Sequence, residues 1–471
     1  MDIKDKETLY KAMLARDKRF DGRFYIGVKT TGIYCRPICP ARPKKENVNF
    51  YRSQTEAENA GFRPCLRCRP DISPGAQMWD GTAAVVGRAL KMISSGEADA
   101  MSLQTFATKL GITDRHLRRL FEDHLGASPV DIAISKRLHL ARQLLSETSL
   151  PITEVAFASG FNSIRRFNEA FKKKYKRSPR DYRQKSGNQN EDVLKVCLPF
   201  IEPYDWSYVY EFLDRHSTFG LEHFEDGKYH RLAVVNNKPA RLTIERDSSK
   251  AQLLVEIEGA NVADLRGILA GVRNLFDLDH NPYQTHDSKK LGGIRIPGSF
   301  DPFETAIGII LGQLVSTEQA KIKIKKLVEH FGNPIASPFA NLTHSFPSPK
   351  VLSAGDLTPI GSTKVRSESI RELSKKVASG EIVLSRTAPL QETREKLLAI
   401  KGIGPWTVEM ISMRCLGNTN AFPDKDLIIK RAVEKLKLDS ETWHPWRSYV
   451  THWIWKNYAK SLSMKGQKKC L

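Results

Sequence analysis

Short pieces such as "FYIGV" and "NVNFY" within residues 1–75 read as strands, bounded by turn-forming residues. From about 78 to 185 the apolar positions recur at three and four residues, which predicts helices. The polar stretch "KSGNQNED" follows and reads as a linker. Beyond it, "RLAVVN", "RLTIE" and "LLVEIEG" are strand candidates, with Val255 and Ile257 alternating against Glu256 and Glu258. From 301 to the end the helical spacing returns. The expected architecture is therefore multidomain α+β. It comprises a small α/β domain at 1–77, an all-α domain at 78–186, a linker at 187–192, an α+β subdomain at 193–300 and an all-α domain at 301–471.

Charge narrows the class of partner. The formal net charge is +21, from 74 Lys and Arg against 53 Asp and Glu, which favours a polyanion. Nucleic acid is the first candidate and an acidic membrane surface the second. The longest apolar run, "AIGIILGQLV", covers ten residues where a span needs about twenty, so no membrane partner is expected. The first twenty residues have no apolar signal core. Seven cysteines, four of them clustered, fit a reducing interior better than a disulfide framework, so the expected location is cytoplasmic.

The four clustered cysteines follow C-x3-C, 25 residues, then C-x2-C: Cys35, Cys39, Cys65 and Cys68. Two tight thiolate pairs suit one tetrahedral zinc ion. Spacing alone leaves open whether they only hold the fold. Metal-bound thiolates are also nucleophiles, and Arg16, Arg36, Arg42, Arg63, Arg67 and Arg69 surround them as candidate phosphate contacts. The wording "MLARDKRFDGRFYIGVKTTGIYCRPICPAR…ENVNFY…AGFRPCLRCRPD" closely resembles the N-terminal domain of the Ada methylation-response regulators. The resemblance implies a zinc ion held by all four cysteines, with Cys35 taking a methyl group irreversibly from a methylated DNA phosphate. A "PCHR" sequence, the reactive site of that family's second methyltransferase domain, does not occur, and Cys197, Cys415 and Cys470 lack its context. Direct repair of O6-methylguanine is not expected.

"MSLQTFATKLGITDRHLRRLFEDHLGASP" reads as two helices around Gly111, with Thr113 capping the second. The pattern returns in "PITEVAFASGFNSIRRFNEAFKKKYKRSPRDYR", turning at Gly160 and Asn162. Residues 161–185 hold ten Lys and Arg against two acidic residues. Two such helix pairs resemble the AraC-type DNA-binding domain, whose second helices enter major grooves. Base or phosphate contacts are expected from Arg115, His116 and Arg118, and from Ser163, Arg165 and Arg166. The resemblance implies a transcriptional activator, with RNA polymerase as a partner.

In the last domain "LLAIKGIGPWTVEMISMRCL" places Lys401, Gly402 and Gly404 between two helical patterns, with Pro405 at the first turn of the second. Backbone N–H groups at such a helix start suit a phosphate. Asp426 lies twenty residues beyond Trp406. The hairpin and this Asp resemble the helix-hairpin-helix DNA glycosylases. "YDWSYVYEFL", "NLFDLDHNP", "FETAIGIILGQLVS", "KGIGPW" and "WRSYV" extend the likeness to the AlkA-type 3-methyladenine glycosylases over roughly 198–456. The resemblance implies hydrolysis of the N-glycosidic bond of alkylated purines. Asp426 would stabilise the oxocarbenium-like sugar and orient water, with helix capping and the neighbouring Asp424 as competing readings. Trp406 stands where bifunctional relatives carry an attacking Lys, so no Schiff base is expected. Trp406, Trp455 and Met410 would line the base pocket, Met410 replacing a Tyr. Leu314 would wedge into the duplex beside Gln313, while Trp443, Trp446 and Trp453 read as core. The resemblance further implies double-stranded DNA as ligand, a monovalent cation at the hairpin, and a monomer. The competing overall reading is a transcription regulator whose glycosylase half grips DNA without catalysis.

Overall fold

The computed structural model describes residues 5–71, 81–183, 193–235, 238–285, 288–335 and 341–467. The expected linker at 187–192 and Cys470 lie outside them. The chain forms two compact units. One comprises Met1–Ile201, Asp247–Ala270 and Leu278–Gln284; the other comprises Glu202–Arg246, Gly271–Asp277 and Thr285–Leu471.

The first unit begins with helix Lys6–Leu14, capped by Asp5, and strands β1 (Tyr25–Val28), β2 (Ile33–Cys35), β3 (Val48–Tyr51) and β4 (Arg63–Pro64). Their order is β3-β1-β2-β4. β1 runs antiparallel to both β2 and β3, and β4 runs parallel to β2. The period of two divides the sheet's faces. Phe24, Ile26 and Val28 pack with Leu9 and Val48, whereas Tyr25 and Tyr34 pack with Ala57 of helix Gln54–Asn59.

Two helix pairs follow, Leu103–Lys109 with Asp114–Leu125, and Ile152–Ala158 with Ile164–Tyr175. Thr113 and Ser163 cap the second helices, accepting from the N–H of His116 and Arg166. Gly111 and Gly160 turn the chain at φ 79° and 90°, a region favourable to glycine. The long helix Pro129–Glu147 connects the pairs. Strands β5 (Val193–Pro199) and, in the other unit, β6 (Glu222–Glu225), β7 (Lys228–Val235) and β8 (Lys238–Arg246) precede β9 (Gln252–Glu258). β5 and β9 pair antiparallel, with Leu253, Val255 and Ile257 buried, as the alternation predicts. In the second unit β6, β7 and β8 form an antiparallel meander. Its helices from Pro302–Leu311 to Arg447–Gln467 surround a core that includes Ile310, Leu311, Leu373, Leu397 and Ile411. Trp446 is buried, and Trp443 and Trp453 pack partly buried against Ile429 and Ile454. Among the described residues no helix is long and apolar enough to cross a membrane.

Within the first unit a buried carboxylate joins the cysteine-bearing module to the helical region. Glu58 accepts from Tyr34 Oη at 2.9 Å and Ser135 Oγ at 2.7 Å, and lies 2.7 Å from both His139 Nε2 and Lys174 Nζ. Burial alone would raise its pKa, but Lys174 and His139 hold it well below the usual carboxylate range. Burial, reinforced by Lys174, pushes His139 from 6.5 down to about 4, so the native ring is neutral. Unfolded, the ring takes a proton below about 6.5 while the folded ring stays neutral to about 4. Stability contributed by His139 is therefore complete above about 6.5 and is lost as pH falls toward 4, by up to about 3 kcal/mol. Thermal melting across this range should show the decline, and His139→Gln should flatten it between pH 6.5 and 4.5.

Candidate functional site

Local pairing assembles the cysteine cluster. β2 ends at Cys35, and the N–H of Cys65, just after β4, donates to the Tyr34 carbonyl at 3.0 Å. Tight turns bring in the second member of each pair: Cys39 N–H donates to the Arg36 carbonyl and Arg69 N–H to that of Cys65. All four ligand sulfurs lie within 4.8 Å of one another, and none is in a disulfide. Four thiolates this close repel strongly. Neighbouring Cys39 and Cys68 raise the Cys35 thiol far above its ordinary pKa. A dication removes that conflict, and an all-sulfur tetrahedral set fits zinc.

Burial does not single out a reactive sulfur. Cys35 is 6% exposed and Cys39 3%, while Cys65 and Cys68 are half-buried. The six nearby arginines divide. Arg36 pairs with buried Asp21 and donates to the Cys68 carbonyl, and Arg69 faces Asp71 and Glu147. Arg16 is exposed and donates to the Pro40 carbonyl, and Arg42, Arg63 and Arg67 are exposed. Of the candidate phosphate contacts, Arg36 is claimed by buried Asp21, whereas Arg69 stands 3.8 and 4.0 Å from Asp71 and Glu147.

On the second helices of the two pairs, Arg115, Arg118, Arg165 and Arg166 are exposed, while His116 and Ser163 are half-buried. Arg118 pairs with Asp114 at 3.4 Å and Arg165 with Glu169 at 3.0 Å, both at helical spacing and open to solvent. Such exposed pairs are weak enough for a phosphate to replace. Ser163 Oγ is engaged in its cap.

In the second unit Asp426 caps helix Leu427–Leu436. Its Oδ1 accepts from the N–H of Ile428 and Ile429 at 3.0 and 3.1 Å, and from Trp455 Nε1 at 3.3 Å. Oδ2 has no partner among the described residues. The capping reading of the sequence is thus correct for one oxygen and leaves the other open. Asp424 is exposed beside Lys425. Met410 is buried in the helical core, and Trp406 and Trp455 pack partly exposed against it.

Sequence reasoning missed the supports of this site. Glu409 accepts from the N–H of Phe422 at 2.9 Å and pairs with Arg394, fixing the loop that leads to Asp426. Behind Trp455, buried His452 meets it edge-on at 5.1 Å, and its Nδ1 lies 2.8 Å from Tyr208 Oη. Burial keeps His452 well below its ordinary pKa, hence neutral. The Glu409 contacts and the Tyr208–His452 bond have no local sequence signal, because each joins residues more than a helical turn apart in the chain.

The hairpin lies between helices Leu390–Leu398 and Pro405–Arg414. Lys401, Gly402 and Gly404 are exposed. Gly402 has φ 88°, and a Cβ there would lie 2.3 Å from Ser369 Oγ, so glycine is required twice over. The N–H groups of Gly404, Trp406 and Thr407 have no partner among the described residues, as at a helix start ready for an anion. Leu314 is fully exposed at φ 53°, and Gln313 Nε2 donates to the Gly402 carbonyl and Thr407 Oγ1 at 3.1 and 2.7 Å.

Comparison with known proteins covers most of this arrangement. Residues 8–71 match the metal binding domain of Ada, 106–185 a helix-turn-helix domain, and 195–301 the AlkA N-terminal domain. DNA-3-methyladenine glycosylase 2 of Escherichia coli is 28% identical over 54% of this chain and 94% of its own length. The bifunctional transcriptional activator/DNA repair enzyme Ada of Escherichia coli is 37% identical over 26% of this chain and 33% of its own. A probable bifunctional transcriptional activator/DNA repair enzyme AlkA of Mycobacterium tuberculosis is 35% identical over 96% of both chains. At that identity and coverage, the protein belongs to the family of bifunctional transcriptional activator/DNA repair enzymes AlkA.

Proposed function

We propose that this chain senses alkylated DNA, activates transcription and excises alkylated purines. In the first reaction Cys35 Sγ attacks the methyl carbon of a DNA methylphosphotriester. An S–C bond forms, the O–C bond breaks, and the phosphate leaves as a diester anion. Bound zinc keeps the sulfurs deprotonated at neutral pH. Four thiolates around the ion carry a formal charge of about −2, and one methylation leaves about −1, which weakens repulsion of DNA phosphate. The two basic helices then grip promoter DNA, with RNA polymerase as the partner in activation.

The second reaction rests above all on Asp426, whose Oδ1 is fixed by two backbone N–H groups and Trp455 while Oδ2 has no partner among the described residues. An alkylated purine is cationic and departs readily, so the chain must chiefly stabilise the positive sugar left behind. Asp426 supplies the negative charge and orients water. The flipped base stacks in a pocket of Trp406, Trp455 and Met410, whose electron-rich faces and soft thioether suit a cation. Leu314 fills the vacated stack, and the unpartnered N–H groups near Gly402 and Gly404, with Lys401, hold the DNA backbone. A monovalent cation at the hairpin carbonyls belongs to the same reading. There Lys401 and Gly402 already accept from Ser369 and Gln313, leaving the ion their remaining lone pairs. The protein acts as a monomer on double-stranded DNA in the cytoplasm.

Asp426→Asn separates capping from chemistry, because Asn caps helices as well as Asp. The variant should melt like the parent yet release 3-methyladenine at least about a hundredfold more slowly. Undiminished release would remove Asp426 from the chemistry, and no release by the parent would leave a DNA-gripping regulator as the better description. Borohydride added during turnover should trap no covalent protein–DNA adduct, since no amine stands at Trp406. After incubation with methylphosphotriester DNA, the Cys35 peptide should gain about 14 Da, one CH2 group, and Cys35→Ser should gain nothing. Methylated protein should also bind its promoter more tightly than Cys35→Ser; equal binding would refute the charge switch.

A further inference from the structure

Leu314 presents an unusual combination. Its side chain is 102% exposed, and its backbone sits at φ 53°, a region that disfavours a side chain. An exposed leucine gains nothing from burial that would offset such a backbone, so neighbouring bonds must hold it.

Those bonds lie one residue upstream. Arg366 Nη2 donates to the Gln313 carbonyl. From the same residue, Gln313 Nε2 donates to the Gly402 carbonyl at 3.1 Å and to Thr407 Oγ1 at 2.7 Å. Main chain and side chain of Gln313 are therefore pinned to different elements. Arg366 is 9% exposed and comes from helix Lys364–Ala378, where its own N–H is capped by Thr363. Three residues further along, Ser369 Oγ donates to the Lys401 carbonyl at 2.7 Å. One helix thus holds both the Leu314 turn and the hairpin. Arg366 has no bond to Asp426, Trp406 or Trp455 among the described residues.

We propose that Arg366 and Gln313 are positioning residues that lock the Leu314 turn onto the hairpin. The lock presents the leucine already in its inserting conformation and in fixed register with the backbone grip. Without it the turn relaxes to ordinary backbone angles, and each flipping event must order it again. The inference rests on reading Leu314 as the wedge. Its consequence is specific: the lock matters when a base must be drawn out of a paired stack, and little when the base is already unpaired.

The test uses the full chain, with single-turnover excision of one N7-methylguanine placed either opposite cytosine or in a one-nucleotide bulge. Arg366→Met should lose about tenfold or more on the paired substrate while staying within about twofold on the bulge. Arg366→Lys, which keeps a donor, should recover part of the loss. Hydrogen exchange over residues 312–316 should rise in Arg366→Met at unchanged melting temperature. Equal losses on both substrates, or no loss on the paired one, overturn the proposal. If the parent protein excises from neither, the glycosylase reading fails only where 3-methyladenine is not released either. Exchange then decides the lock alone, and unchanged protection at 312–316 overturns it. Should Arg366→Met fail to fold, Arg366→Lys and Gln313→Ala are read by the same exchange measurement.

Discussion

A single buried carboxylate sets the geometry of the first unit. Glu58, on a short helix of the cysteine-bearing module, is met by Tyr34 from β2, Ser135 and His139 from the long connecting helix, and Lys174 from the second basic helix. Taking Glu58 and Lys174 out of water is expensive, and a hydrophobic pair of similar volume would often be as stable. Removing one partner is different, because it strands a buried charge at a cost of about 3–5 kcal/mol. The cluster therefore specifies an arrangement more than it adds stability. Asp71 and Arg142 repeat the device nearby, with Arg142 lying over the ring of Tyr175. The first ties the module holding the sulfurs to a helix expected to touch DNA, and the second ties it to the helix that connects the two pairs.

The second unit uses polar contacts to a different end. Its core is apolar, yet the loops and the hairpin of the proposed site are set by polar groups around that core. Arg231 lies between Glu222 and Glu304, joining the meander to the first helix of the helical domain. Glu409 holds the Phe422 backbone, Ser369 holds that of Lys401, and Asp426 caps its own helix. Capping and catalysis are commonly treated as rival explanations for an Asp at such a place. Under the proposed function they cooperate. Two backbone N–H groups fix the plane of the carboxylate, so the second oxygen keeps one direction without the entropy of a free side chain.

What the sequence made legible follows a physical rule. The helix start at Thr113, turns at Gly111 and Gly160, and the inward alternation of Val255 and Ile257 depend on neighbours within a few residues, and all could be read directly. The four cysteines were legible because metal ligation demands a residue type and a spacing. Long-range polar partners were not. Arg36 counted as a candidate phosphate contact, yet buried Asp21 claims it, and Gln313 counted as the companion of a wedge, yet its amide bonds to the hairpin. A side chain's charge is written in the sequence; the partner that neutralises it is written in the fold.

That distinction bears on how methylation at Cys35 would act. The formal charge of +21 leaves the cysteines uncharged, so the zinc–thiolate set lowers it to about +19 and methylation returns it to about +20, a negligible change in the distant field. Beyond about 8 Å salt screens even that difference. The effect must therefore be local. One charge removed roughly 6 Å from a phosphate, at an effective dielectric of about 20, is worth about 3 kcal/mol, or roughly a hundredfold in affinity. Arg36 does not mask the change, because its guanidinium is already satisfied by Asp21. Exposed Arg42, Arg63 and Arg67 can follow a phosphate toward the sulfurs or away from them. A switch built this way requires DNA to run past the cluster itself, with the sulfurs as part of the binding surface and not as a remote sensor.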